Sequence, residues 1–506
     1  MIRPRATRTV AAALARRQWT CPSCTFHRRY SQKPQKPQKQ PQQTEPADHR
    51  KLGTQQGLFT TSVYSPGSPI FLPHGARVFN RLVDFLRKQY VRYGFQEVIT
   101  PTIYKKSLWA KSGHLENYKD DMYSVTGYVK SEEPTSTSRC GEGTEESAVP
   151  AEDEDGEYGL KPMNCPGHCI IFASQHHSYR DLPVRYADFS PLHRNEISGA
   201  LSGLTRVRRF HQDDGHIFCR PIQVEDEIKK TLDFVRVVYT ALRLGVSFRL
   251  KLSTRPADHF IGTIEEWDRA EDSLRRALDK SGMEWSVNEG DGAFYGPKID
   301  IVLKDSDGKE HQTATVQLDF QLPKRFELEY QAPAPEYEAR GETTEDPDLL
   351  AAYGPVRPVM IHRAVLGSVE RLMAILIESY NGKWPFWLNP RQVIILTVNT
   401  SEPVVQWAEE VRNVLVGNDD KVYEDLQAGK LPSPEHPLRP TGLAVDVDSS
   451  ARSLGSKIRE AKTNGYSQVL VVGDKDVENR QVSLGKERMS PAEMRDKMLN
   501  MVDTFQ

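Results

Sequence analysis

The sequence predicts two folded parts in tandem, a larger α+β body and a smaller α/β domain behind it. Three observations carry this. Residues 189–218, FSPLHRNEISGALSGLTRVRRFHQDDGHIF, flank the turn-rich link SGALSG with apolar stretches, the pattern of a two-stranded hairpin. GAFYGPKIDIVL and HQTATVQLDFQL both alternate as strands do. After Trp384-Pro-Phe-Trp-Leu-Asn-Pro390 the texture becomes a regular succession of strand, helix, strand, helix and strand.

At 506 residues there is ample core for two or three domains, and a net charge of −2 excludes a global basic field for nucleic acid. No run of 18 apolar residues exists to span a membrane. Six scattered cysteines are too few for a disulfide framework, which fits a reducing compartment.

The chain opens with Arg3, Arg5, Arg8, Arg16, Arg17, Arg28 and Arg29 and has no acidic residue before Glu45. Around the apolar stretch Val10–Ala15 this is the composition of a mitochondrial transit peptide over residues 1–30, cut near Arg28-Arg29-Tyr30. Cys21 and Cys24 make half a zinc site at most, because no second CxxC lies nearby. Residues 31–57 read as a Gln/Pro/Lys linker.

From 58 to 386 runs the larger part. Helices are expected over 76–92, 224–243 and 263–281, with a strand at Val98-Ile99 stopped by Pro101. Residues 131–158 carry ten carboxylates and one arginine and read as a disordered acidic insertion. A polar Glu/Pro loop is expected over 332–354. Residues 387–506 form the α/β domain, whose last helix starts at Ser490 as N-cap, Pro491 and Glu493.

The hairpin carries the chemistry. Arg194 and the group Arg206, Arg208, Arg209 offer guanidinium forks suited to phosphate oxygens, and Gln212, Asp213, Asp214 and His216 follow. A nucleotide beside a small polar ligand is one reading, and a solvated basic hairpin next to an acidic turn is the other. Neither GxxxxGK[ST] nor a GxGxxG after a strand occurs, so side chains must hold any nucleotide.

Three stretches resemble the signature motifs of class II aminoacyl-tRNA synthetases: Gly94-Phe95-x-x-Val98-x-x-Pro101, Arg194-Asn195-Glu196 with Arg206-x-x-x-Phe210, and Gly367 with Glu370-Arg371. KPMNCPGH, RVRRFHQDDGHIF, GAFYGPKID, TVQLDF and VMIHRAVLGSVER are similar to the threonyl-tRNA synthetase family. The resemblance implies a mixed, mainly antiparallel sheet of class II type, followed by an anticodon-binding domain. It implies activation of L-threonine with ATP, transfer to mitochondrial tRNA-Thr in the matrix, and a homodimer through the first motif. Arg194 would grip the α-phosphate and Arg371 the γ-phosphate. Arg206, Glu196 and Gln312 would add nucleotide contacts, Phe210 would stack on adenine, and Mg²⁺ would accompany ATP. Cys165, His216 and His362 match the family's zinc ligands. Spacing alone leaves a local Cys165/His168/Cys169 cluster open as the alternative. Met163, Gln212, Asp214, Tyr295 and Gln317 would line the threonine pocket. His114 resembles a histidine assisting the tRNA 2′-hydroxyl, and Lys298 matches another active-site position. The chain is expected to lack the family's N-terminal editing domain. Rival readings are a seryl or prolyl synthetase of the same class, or a synthetase-like tRNA-binding regulator without catalysis.

Overall fold

Strand segments must complete their backbone hydrogen bonds with neighbours. In the computed structural model, which describes residues 46–126, 157–244, 248–258, 260–304, 310–418, 420–434 and 437–506, nine of them join one sheet. Its strands are β1 (Gln96–Glu97), β2 (Val184–Asp188), β3 (Pro191–His193), β4 (Arg209–Cys219), β5 (Arg249–Ser253), β6 (Trp285–Asn288), β7 (Lys298–Lys304), β8 (Glu310–Asp319) and β9 (Val359–Ser368). Their spatial order is β6-β5-β7-β8-β9-β4-β2-β1, and β3 pairs with β4 to close the expected hairpin. The β1–β2 and β5–β6 pairs are parallel and the others antiparallel, as the class II resemblance implies.

Register turns this sheet into a site. Lys298 pairs with Gln317, Gln317 with His362, His362 with His216, and His216 with Tyr186. Directly opposed residues point to the same face, so four strands and their neighbour present one polar row. Two residues along, the same face carries Asp300, Thr315, Ala364, Asp214 and Asp188. The row between faces the other way, with Ile299, Val316, Arg363, Gly215 and Ala187.

Helices cover that second face. Residues expected to be linker form α1 (His49–Gln55), capped by the Asp48 side chain, so the linker reading is corrected for its last residues. The Lys- and Gln-rich composition upstream hid a helix whose His49 and Gly53 are buried. α2 (Pro73–Tyr93) begins on a proline and ends at Gly94 with φ 72°, a left-handed C-cap that glycine adopts without strain. α3 (Cys165–Ala173) lies at the polar face, and α4 (Val224–Ala241) and α5 (Ile264–Ser281) fall where periodicity predicts them. α6 (Val369–Ser379) continues directly from β9. Val78, Leu82, Leu86, Ile228, Leu232, Ile299, Val316 and Ile361 share the resulting core. Arg363 lies fully buried within this layer. It pairs with Asp213 at 2.6 Å, and its guanidinium lies 4.1 Å from the Phe95 ring centroid. Gly215 makes room for it, since a Cβ there would sit 2.5 Å from Arg363 Nε.

Two further expectations are corrected. The strand after α2 is Gln96–Glu97, with Val98 N–H reaching Ala187 O beyond it and Ile99 exposed. Residues 332–354 are not a loop: Tyr330–Pro333 pairs with Tyr353–Val356, and Pro335–Arg340 and Pro347–Ala351 are helical. Pro335 and Pro347 stand in first helical turns, where proline pre-sets helical φ. The transit peptide, the Cys21/Cys24 pair and the body of the acidic insertion lie outside the described residues, while Tyr158 already belongs to a strand, Tyr158–Leu160.

The C-terminal sheet is β10 (Val393–Thr397), β11 (Val445–Asp448), β12 (Gln468–Val472), β13 (Val482–Leu484) and β14 (Glu487–Met489), ordered β11-β10-β12-β13-β14. Its first three strands are parallel. The helices α7 (Glu402–Val416), α8 (Leu454–Thr463) and α9 (Pro491–Asp503) pack on it, the last opened by the predicted Ser490/Glu493 capping box. No described helix is long and apolar enough to cross a membrane.

Candidate active site

Cys165 opens α3, and His216 and His362 sit opposite each other on β4 and β9. Their ligand atoms all lie within 4.8 Å of one another, and all three residues are buried. His216 Nε2 and His362 Nδ1 face each other at 3.0 Å. Each ring's other nitrogen is held from behind. His362 Nε2 donates to Asp319 Oδ2 at 2.8 Å, while Asp319 Oδ1 accepts the Gln321 and Leu322 N–H groups at 2.7 and 3.0 Å. His216 Nδ1 lies 2.7 Å from His168 Nδ1. Burial pushes the His168 imidazole down to about 3, so it stays neutral and can accept that proton. Two imidazoles and a thiol, with both rings oriented by outer partners, fit a zinc ion with one position left open. Burial and the nearby Asp214 push the Cys165 thiol well above its ordinary value, so the thiolate a metal needs would be stabilised by the cation itself. The local alternative is not assembled: His168 stands behind His216, and Cys169 Sγ rests 3.9 Å from Met360 Sδ.

The remaining threonine-pocket candidates surround this trio. Asp214 lies on the neighbouring row and accepts from Asn164 Nδ2 at 3.1 Å, its carboxyl pushed up to about 6, chiefly by burial. Tyr295 O–H donates to Gln317 Oε1 at 2.5 Å, and its ring lies 5.3 Å from that of His362. Met163 and Gln212 line the same cavity. His114 is buried behind two residues that line it, with Nε2 at 3.3 Å from Met163 Sδ and 3.7 Å from Cys165 Sγ. Burial lowers the His114 imidazole to about 4. Lys298 shares the row of Gln317 and His362, but Asp300 and Asp291 hold its ammonium at 3.0 and 3.2 Å.

The cavity, about 320 Å³, runs on to the hairpin, where Arg194, Glu196, Arg206, Phe210, Gln312 and Arg371 line its far end. The Arg194 guanidinium lies 5.1 Å from the Phe210 ring centroid. Arg206 pairs with Glu196 at 2.8 Å and is half exposed. Arg371 Nε donates to Thr205 O at 3.0 Å. Burial, then the charges of Arg194 and Arg206, lower the Arg371 pKa, so three cations converge with one carboxylate among them. That excess of positive charge suits a polyanion. Glu370 points away and accepts the His211 N–H and Nδ1–H, each at 2.9 Å.

Sequence reasoning singled out neither Asp319 nor Asn164, and it named His168 only within the local alternative that spacing left open. A signal for Asp319 existed: in TVQLDF it falls two residues after Gln317, on the same strand face.

A family model described as tRNA synthetase class II core domain (G, H, P, S and T) matches residues 147–340, and one described as anticodon binding domain matches 392–505. The chain is 48% identical over 437 residues to a Schizosaccharomyces pombe protein named probable threonine–tRNA ligase, mitochondrial, covering 86% of this chain and 84% of that one. A Saccharomyces cerevisiae protein named threonine–tRNA ligase, mitochondrial, is 45% identical, with 84% of each chain covered. Among solved structures, one titled as the RNA binding domain of threonyl-tRNA synthetase from Cryptosporidium parvum has a TM-score of 0.71 at 42% identity, covering 90% of this chain and 98% of that one.

Proposed function

We propose that this chain, which belongs to the threonyl-tRNA synthetase family, divides its cleft between an ATP end built by Arg194, Arg206 and Arg371 and a threonine end built by Cys165, His216, His362 and Asp214. It is a threonine–tRNA ligase of mitochondria: it activates L-threonine with ATP, with Mg²⁺, and transfers the threonyl group to mitochondrial tRNA-Thr. In the first step the threonine carboxylate attacks the α-phosphorus and pyrophosphate leaves. Arg194 would hold the α-phosphate as charge builds in that attack, and preorganised cations of this kind contribute most when they need not reorganise. Arg371 and Arg206 would carry the departing phosphates, and Phe210 would give adenine a flat apolar partner.

At the other end Cys165, His216 and His362 would hold a zinc ion. Such an ion would supply Lewis-acid chemistry suited to the polar groups of threonine, for which the methyl that valine offers in place of the hydroxyl has no lone pair. Asp214 would accept a hydrogen bond from the substrate hydroxyl, while Tyr295 and Gln317 close one wall. A site built for a polar group discriminates strongly against the analogue lacking it. We also propose a homodimer, supported by the exposed Val91 and Ile99 beside the first motif, which a partner subunit would cover.

The observation that carries the site assignment is the shared row on one sheet face, which brings His216, His362 and Gln317 together from three strands. Metal analysis of the purified protein, with threonine-dependent ATP–pyrophosphate exchange, tests it. One zinc per subunit and exchange that stops with a chelator and returns with zinc are expected. Exchange by a metal-free protein would refute the zinc assignment.

A further inference from the structure

α1 precedes every motif used above, yet its first residue reaches the nucleotide end. We propose that His49 is a positioning residue for the ATP-binding loop, fixing the turn at Leu204–Thr205 from which Arg206 projects. This rests on the reading that the arginine-lined end of the cleft receives ATP.

His49 is buried, and its ring makes two different bonds. Nδ1–H donates to Glu378 Oε1 at 2.7 Å, and the His49 main-chain N–H meets the same oxygen at 3.2 Å. With the proton committed to Nδ1, Nε2 carries the lone pair, and it accepts the Leu204 N–H at 3.1 Å. The loop is held two peptide groups further on too: Thr205 O accepts from Arg371 Nε. Arg371 and Glu378 stand seven residues apart on α6, about 10 Å along its axis. Two peptide groups of the loop, with one between them, are thus tied to the two ends of one helix. The near end reaches directly, and the far end reaches through His49.

Gly203 completes the fit. Its φ is +48°, and a Cβ there would lie 2.2 Å from His49 Nε2, so a larger residue would push the imidazole off Leu204. The requirement for such an anchor follows from charge. Arg194, Arg206 and Arg371 repel one another before a nucleotide arrives, and a hydrogen bond accepted at His49 Nε2 restrains the loop without a further guanidinium. Asp48, His49 and Glu378 could pass for a metal cluster, but both His49 nitrogens are engaged and Asp48 grips Arg50 with both oxygens at 3.0 and 2.9 Å. His49 and Glu378 form a hydrogen-bond junction, with Asp48 beside it as the cap of α1.

The test is threonine-dependent ATP–pyrophosphate exchange by the full chain, with KM measured separately for ATP and threonine and melting followed alongside. His49→Ala and Gly203→Ala are each expected to raise the ATP KM about tenfold, the worth of one well-placed hydrogen bond, while the threonine KM holds. His49→Gln, whose amide can donate to Glu378 and accept from Leu204, should recover most of the loss. Should His49→Ala fail to fold, Gly203→Ala decides, since it opens the same contact from the loop side. An unchanged ATP KM in the folded variants, or a fall in kcat alone that tracks lost folded protein, overturns the proposal. Absence of exchange in the unmodified chain would instead overturn the underlying assignment of ATP.

Discussion

At the threonine end of the cleft the functional atoms are fixed by strand register and by partners one layer out, Asp319 behind His362 and His168 behind His216. At the nucleotide end Arg194 and Arg206 ride on the hairpin and Arg371 on α6, and backbone oxygens hold two of the guanidiniums, Pro162 O at 3.4 Å from Arg194 Nε and Thr205 O at 3.0 Å from Arg371 Nε. Buried, neutral donors can wait for a cation without strain, whereas mutually repelling arginines reach their best energy only around a phosphate chain. The first end is built to discriminate and the second to receive charge.

The largest effect should come from the loop end. Arg194→Ala is expected to lower the rate of adenylate formation by about 10²- to 10³-fold, the cost of losing one transition-state donor. Its melting temperature should stay near that of the unmodified chain, because Arg194 serves the ligand rather than the sheet. Near-normal pyrophosphate exchange would dissolve the contrast between the ends.

Asp213→Ala should act oppositely. It leaves the fully buried Arg363 without its counter-ion, at a cost of about 3–5 kcal/mol in stability. Chemical denaturation would read this, and a loss below 1 kcal/mol would mean the pair does not brace β4 against β9.

A smaller change tests the outer layer. His168→Leu removes the acceptor behind His216 and should weaken zinc binding about 10- to 100-fold, measured by competition with a coloured chelator. Unchanged affinity would mean the His216 ring needs no support. The mildest contrast is between substrates. Serine keeps the amino and hydroxyl groups and lacks one methyl, worth roughly 1–3 kcal/mol, so serine-dependent exchange should be measurable and valine-dependent exchange far weaker. Undetectable serine activation would show that the pocket reads more than those two polar groups.

The C-terminal domain was the most legible part, because two of its three parallel strands are short apolar runs and its last helix opens on a capping box, Ser490 with Glu493. The arginines of the hairpin were legible too, since residue type and a turn-rich link suffice to suggest a phosphate site. What misled was chemistry whose partner lies far away. α1 looked like linker because the residues that bury it, Glu378 and Leu204, stand 329 and 155 positions onward. Residues 332–354 looked like loop because their strand partners are separated by two short helices.

Local pattern therefore determined element types, the domain order and the chemical character of the hairpin, all of which depend on neighbours within a turn or a strand. Tertiary structure alone decided that Cys165, His216 and His362 converge while His168 and Cys169 do not, and that Arg363 turns into the core. Strand pairing sets those outcomes: a slip of one residue between β4 and β9 would send His216 or His362 to the opposite face, and which register wins is settled by burial across the whole sheet rather than by any stretch of sequence.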